Sequence, residues 1–456
     1  MPTKRLPPRP DLRHLKHQVA DLRADHRLGK PDALRRIREC HPRFGNAADG
    51  AIASAKLTQS DALLTIAREY GFASWPKIKR HIESLEAVQR RVSQLQEQFA
   101  HGDAATRRRL LQPAHARERF ENYDPDAASL SENDARLLIA NEEGYAFWQK
   151  YESYLYLDPS VQRAIAAVRS GDREALLEIL RDDPSAANPH WVPGFSSPAL
   201  VPNDSIPLFC VSEAAFRHTN TRGNEYDLVR DLAKAGADVD FQWGMALAAA
   251  ASFGVPRAVE ALLDSGAEID GVDDDGTHLA YALHFGFSET AQLFARRGAK
   301  TDLRFDAGLG RLDAVKNWFD ADGSLKAGAG ALVDPYALEH KLRGQSPFRC
   351  ERTRENILSQ ALYFACIHGQ LEVAELLLSQ GADINSIVPG LDSRATVLHH
   401  LVYREDDLQS VVRLLADSGA DFRVRDQIYY STPLGWARFL KRQASVELLL
   451  SLGAQE

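Results

Sequence analysis

The sequence predicts an all-α protein, a solenoid of helix-turn-helix units with short β-turn hairpins, preceded by a duplicated helical domain. Three observations carry that prediction. An apolar helix closing on Gly-Ala recurs six times between residues 231 and 454. Residues 57–77 reappear at 130–150 with 11 of 21 positions identical. With 44% hydrophobic and 26% charged residues, the 456-residue chain has ordinary globular composition, which excludes a mainly disordered protein. The longest uniformly apolar run, Met245 to Ala251, is far short of the roughly 20 residues that span a bilayer. Met1-Pro-Thr-Lys-Arg5 has no apolar stretch behind it, so no secretory signal is expected. Cys40, Cys210, Cys350 and Cys366 form no CxxC pair, and a reduced cytoplasmic setting is expected.

Residues 1–10 read as a flexible tail. Two related modules follow, about 11–83 and 84–156, at an offset of 73. The shared positions include Leu57/Leu130, Asp61/Asp134, Ala67/Ala140, Gly71/Gly144 and Trp75/Trp148. In the first copy, helices are predicted over 11–28, over 31–40 with Pro31 in the tolerated first turn, and over about 59–70 with Gly71 as the stop. A short fourth helix is predicted from Ser74. Trp75 and Trp148 are assigned to the module cores, since an aromatic at a repeated helical position is usually packing.

From about residue 160 the chain reads as repeats. The Gly-Ala stops have their glycines at 236, 266, 298, 381, 419 and 453, spaced 30, 32, 83, 38 and 34. A second glycine divides each unit into two helices, at 254, 286, 310 and 369, with Gly171 a weaker case. Glycine suits a helix stop because φ > 0 costs it nothing. Leu376-Leu-Leu378 is too apolar for a lone surface helix and needs neighbours on both sides. Seven units are counted, at about 205–240, 241–270, 271–302, 303–320, 355–385, 386–423 and 424–454, with a degenerate eighth from Val161. Two stretches fit no repeat, 188–204 and 321–354, and are candidate specificity insertions.

These units resemble the ankyrin repeat, whose T-P-L-H-x-A opening is matched best by Thr432-Pro-Leu-Gly-Trp-Ala437, then by Thr396-Val-Leu-His-His-Leu401 and Thr277-His-Leu-Ala-Tyr-Ala282. The resemblance covers roughly 290 residues. The early units lack the opening, and the 303–320 unit ends in Trp318-Phe-Asp-Ala-Asp-Gly323 instead of Gly-Ala. It implies that His399 hydrogen-bonds between repeat loops. It also implies a concave face lined by one position of each first helix, here Tyr281, Phe305, Phe364, His400 and Trp436, and by hairpin residues Trp243, Asp275, Tyr429 and Tyr430. Binding and inter-repeat core are equal readings for Phe305 and Phe364. The segment around Trp75 is similar to one that fronts bacterial ankyrin proteins, which implies a bacterial source.

No P-loop, GxSxG, HExxH or EF-hand loop is present, and no catalytic residue, metal or cofactor is expected. Asp273, Asp274 and Asp275 read as a turn and helix cap. Cys210 and Cys366 read as small core residues. The net charge of −8 divides into +8 over residues 1–83 (17 Lys+Arg, 9 Asp+Glu) and −16 over the rest (38 and 54). The function expected is a non-catalytic interaction scaffold with Trp243, Asp275, Tyr281, His400, Tyr429, Tyr430 and Trp436 as partner-binding residues. One alternative is a nucleic-acid-associated regulator: residues 59–80 resemble a helix-turn-helix with Ala67 at the turn and Lys77, Lys79 and Arg80 near phosphates. Against it, Pro76 falls in the reading helix, and copy two carries 9 basic against 12 acidic residues. An enzyme with a site built by the insertions is the other alternative. No membrane partner is expected, and a homo-oligomer through the last, uncapped repeat is a further expectation.

Overall fold

The computed structural model describes residues 4, 6–7, 10–72, 74–102, 107, 129–143, 145, 147–189, 201–271, 276–330, 351–391, 393–404 and 409–455. They form two compact units, residues 1–165 with 188–207, and residues 166–187 with 208–456. Among the described residues the structure is helical except for one antiparallel bridge, Phe319 to Leu325. Asp275, His190, Trp191, Cys350, most of the 321–354 insertion and the core of the 188–204 insertion lie outside the described residues. The end of the latter, with Asp204 bonded to Lys150 at 3.2 Å, belongs to the first unit and not to the repeat array.

In the first unit, Asp11 caps α1 (Leu12–Arg27) through Arg13 N at 2.7 Å. α2 (Pro31–Cys40) opens on its proline, and α3 (Asp49–Ser54) is a short helix with no strong signal in the sequence. α4 (Gln59–Glu69) begins with a capping box: Thr58 N donates to Asp61 Oδ2 at 2.8 Å and Asp61 N to Thr58 Oγ1 at 3.1 Å. Two orphan amide donors are thereby satisfied. Gly71, at φ 85, stops the helix. The predicted short fourth helix is instead α5 (Trp75–His101), 27 residues long, which crosses the expected module boundary without a break. No Gly lies between Trp75 and His101 and the only Pro is in the first turn, so nothing in that stretch interrupts the helix. Its Ile78 and Ile82 belong to one apolar core with Leu22, Ile37, Ile52 and Ile66. Its Val92 and Phe99 belong to a second core with Leu138 and Tyr151. α6 (Glu132–Glu142), capped by Ser131, and α7 (Trp148–Leu155) complete that core. Trp75 and Trp148 are partly buried against their respective cores.

The expected flexible tail is tied down where it is described. Lys4 N donates to Glu69 O at 2.9 Å, and Leu6 packs on the first core. The fully buried Glu69 carboxylate also receives Lys4 Nζ at 2.6 Å and Arg36 at 2.5 and 2.9 Å. A buried carboxylate persists only with such partners, and one of them comes from the tail.

Helix α8 (Pro159–Ser170) has residues in both units, and α9 (Arg173–Asp182) follows it. The second unit continues as helix pairs: α10 (Pro207–Phe216) and α11 (Glu225–Lys234), α12 (Phe241–Ser252) and α13 (Pro256–Asp264), α14 (Thr277–His284) and α15 (Ser288–Arg296), α16 (Leu303–Gly308) and α17 (Leu312–Asn317), α18 (Arg354–Ile367) and α19 (Leu371–Ser379), α20 (Val397–Tyr403) and α21 (Gln409–Asp417), α22 (Pro433–Phe439) and α23 (Gln443–Ser451).

The Gly-Ala phrase has a geometric cause. In each case the glycine is left-handed, at φ 87 to 95, and the alanine amide reaches back five residues, as in Ala267 N to Leu262 O at 3.1 Å and Ala454 N to Leu449 O at 3.0 Å. That is a Schellman stop, with the small alanine buried in all of them but Ala237, which is half-buried. The residue four past the glycine then ties one repeat to the next. Asp240 accepts from Glu268 N at 3.0 Å, Asp270 from Lys300 N at 2.8 Å, and Asn385 from Asp421 N at 2.8 Å. The mid-unit turn is also left-handed where it is described, and His218 (φ 56) and Lys441 (φ 57) fill it in the units 205–240 and 424–454, which have no glycine there.

The 303–320 unit is truncated, with helices of six residues each. Its neighbours therefore meet directly. Tyr363 Oη and His284 Nδ1 share a hydrogen bond at 2.9 Å, and His368 Nε2 donates to Leu283 O at 2.8 Å. Gly308 leaves the room: a Cβ there would stand 2.9 Å from Leu283 and 3.2 Å from Phe364.

Candidate functional site

The last repeat hairpin is built around one carboxylate. Asp426 is 1% exposed. It accepts from Ile428 N at 2.8 Å, Tyr429 N at 2.5 Å, Ser431 N at 2.9 Å and Trp436 Nε1 at 3.0 Å. Desolvation pushes this carboxyl up, but the bonds from Tyr429, Ser431, Trp436 and Ile428 outweigh it and hold the group below its ordinary value. Ser431 O accepts from His399 Nε2 of the preceding repeat at 3.0 Å. His399 Nδ1 accepts from Thr396 N at 3.3 Å, so the ring is the neutral Nε2–H tautomer bridging two repeats. Burial lowers its pKa and keeps it neutral, although Ser431 and Asp426 act the other way. This is the loop-to-loop role that the resemblance implied for His399.

The outcome is a fixed loop with two aromatic side chains on its outside. Tyr429 is 73% exposed and Tyr430 71%. Tyr430 is left-handed at φ 53, an unfavourable conformation for a bulky residue. Trp436 is half-buried, and its edge packs on His399 (5.2 Å) and Tyr429 (6.2 Å). It braces the loop from below.

The other expected positions divide. Trp243 is a partly exposed hairpin residue inside a left-handed run, Gln242 to Gly244, with φ 51, 59 and 74. Tyr281, expected on an open face, is 2% exposed, and its ring lies parallel to Phe285. As placed it is packed in the interior and offers no surface. Phe305 and Phe364, both 3% exposed with rings 6.3 Å apart, are packed in the same way. His400 is half-buried, held by Ser393 Oγ at 3.0 Å and edge-on to Tyr363, and burial with His284 and His399 nearby pushes its pKa down to about 3. Cys210 and Cys366 are fully buried, as core residues should be.

Sequence reasoning missed three exposed positions of note: Phe439 at 85%, Phe216 at 52%, and Arg394, exposed and left-handed at φ 44. No periodicity marks Arg394; its position depends on the neighbouring hairpin. In the first unit, Lys77 pairs with Asp158 at 2.5 Å and Lys79 with Glu83 at 3.5 Å, so two of the three cations assigned to phosphates are engaged. Among the described residues no group of three or more His, Cys, Asp and Glu is placed to hold a metal, and no helix is long and apolar enough to cross a membrane.

Residues 362–456 match the family model for ankyrin repeats (3 copies). One curated relative, the ankyrin repeat protein nuc-2 of Neurospora crassa, is 36% identical over 93 residues, which is 20% of this chain. The chain matches only 8% of that relative's length. Among solved structures, the ankyrin repeat domain of Bcl-3, a unique member of the IkappaB protein family, is 22% identical with a TM-score of 0.26, covering 63% of this chain and 97% of that one. The human ASB11 ankyrin repeat domain is 19% identical with a TM-score of 0.25, covering 54% and 98%. Residues 362–456 thus match the ankyrin-repeat family, and helix pairs closed by the same Gly-Ala stops continue back through the second unit to Glu225–Lys234.

Proposed function

We propose that this protein is a non-catalytic interaction scaffold whose second unit holds a protein partner at the hairpin of its last repeat. Ankyrin repeats generally serve protein–protein interaction. The observation that carries the reading here is the Asp426-centred loop, which presents Tyr429 and Tyr430 outward without leaving them mobile. Exposed tyrosines give large contact area at small entropy cost, and a prebuilt loop loses little further freedom on binding. Trp243 is a second anchor on the hairpin side, while Trp436 supports the loop. The front of the chain is read as a tandem duplication. In support, α4 and α6 are both 11 residues long, start 73 residues apart and are capped by Thr58 and Ser131 at that same offset.

The test is a pull-down from the native host with the intact chain and with the double variant Tyr429→Ala, Tyr430→Ala. The partner should be lost with helical content and melting temperature unchanged. Retention of the same partner by the folded variant would sink the assignment.

A further inference from the structure

The hairpins of the last two repeats meet at Gln427, whose N–H donates to Arg394 O at 3.0 Å. Arg425 lies on the same loop and donates through Nη1 to Tyr430 O at 2.7 Å, which uses one of its five N–H groups. Both arginines are exposed, and neither has an ion-pair partner among the described residues. The contrast with their surroundings is internal. Arg423 is held by both oxygens of Asp421, at 2.9 and 3.0 Å, and Asp426 is buried beneath its four donors. Among the described residues these two guanidiniums form no ion pair, and Arg425 stands on the loop that carries two exposed tyrosines and the 43% exposed Ile428. They stand on a chain whose residues from 84 onward sum to −16, so an exposed cation there is set against the overall sign of that sequence.

The backbone adds an independent indication. Arg394 and Tyr430 are both left-handed, at φ 44 and 53. Gly or Asn would adopt that conformation at lower cost. Neither residue substitutes for a mid-unit turn glycine, as His218 and Lys441 do. A cation and an aromatic held in strained backbone at adjoining loop tips is the pattern expected where the side chain is needed for contact with something else.

We infer that the last two hairpins take an acidic peptide segment of a partner, with its carboxylates on Arg394 and Arg425 and an apolar side chain against Tyr429 and Tyr430. This rests on the partner-binding reading above and gives it a chemistry. Arginine's planar fork suits carboxylates, and exposed charge acts chiefly on selectivity and salt dependence.

The experiment uses the full chain and fluorescence anisotropy with a labelled peptide of alternating Glu residues around a central Phe-Leu, and with its Gln and Lys counterparts. The acidic peptide should bind about tenfold or more tightly than the Gln peptide at low salt, and this advantage should shrink as salt rises. Arg394→Asn should abolish most of that advantage and leave the Gln peptide unaffected, while its melting temperature holds or rises because Asn tolerates the left-handed backbone. Tyr429→Ala with Tyr430→Ala should weaken both peptides. An acidic peptide that binds no better than its Gln counterpart, or equally well to Arg394→Asn, would overturn the inference. The latter result would also reveal capture elsewhere, for instance by the basic first 83 residues. Indiscriminate peptide binding combined with loss of the native partner in the tyrosine variant would overturn the acidic chemistry alone. Retention of the native partner by that variant would overturn the underlying reading.

Discussion

Asp426 shows how one residue can set a surface. Its side chain is only four atoms beyond the backbone, yet it holds three amides of one loop and an indole because it is buried among these donors. Hydrogen bonds to a buried charge are worth more than neutral ones, and the donors it would leave behind carry their own desolvation cost. Asp426→Ala should therefore destabilise the last repeat by roughly 3 kcal/mol, seen as a lower urea midpoint. It should also cost partner binding, because Tyr429 and Tyr430 lose their fixed geometry. A variant as stable as the parent would show that the loop is held by something else. The linkage has a definite sign. A carboxyl whose pKa is lowered on folding contributes stability above its unfolded pKa, and loses it as pH falls through the folded value.

At the scale of elements, the two kinds of glycine separate cleanly. Gly266 needs only its left-handed φ, with nothing within 4 Å of where a Cβ would stand. Gly254 has the same kind of φ, and in addition its Cβ would run into the Phe287 ring of the next repeat. Gly266→Ala should thus cost about 1–2 kcal/mol, and Gly254→Ala roughly 2–4 kcal/mol because overpacking adds to the strain. Paired thermal melts measure the difference. Equal losses would show that Phe287 moves aside freely. The helix stops were readable because they depend on local dihedrals. The fusion of the predicted fourth helix into the 27-residue α5 was not, since a helix with no breaker ends only where packing ends it, and α5 finds apolar partners on both sides of residue 83.

For the molecule as a whole, histidines that packing keeps neutral contribute to its acid sensitivity. Burial pushes His81 down to about 4, against the opposing bond to Leu155 O at 3.1 Å. Burial likewise pushes His284 to about 4, with Arg404 adding to it, and His400 to about 3. In each case the unfolded chain takes up the proton first, near 6.5. Stability is therefore complete above that pH and is lost as pH falls from 6.5 towards 4. For His81, 4% exposed and stacked on Tyr156, the loss is at most about 3 kcal/mol. His81→Phe should flatten the decline of melting temperature between pH 6.5 and 4 by about one proton's worth of slope. An unchanged slope would remove His81 from the account.

Much of this protein was legible in its sequence. Every Gly-Ala stop depends on the chain within a few residues, and such features are written in residue order; the bridging role of His399 followed from the resemblance of its segment to the T-P-L-H opening. The exposure of Tyr429 and Tyr430 was legible too, as turn residues beside a T-P-L opening. What periodicity could not give was which first-helix aromatics face outward. Tyr281, Phe305 and Phe364 occupy equivalent register to Trp436, yet they are 2–3% exposed while Trp436 is half-buried. Nor could it place Arg394 beside Gln427, 33 residues further on. Sequence alone determined the units and their stops, because backbone dihedrals and helical faces are local properties. Tertiary structure alone decided which side chains remain available for binding, because exposure is set by how far apart neighbouring repeats are held.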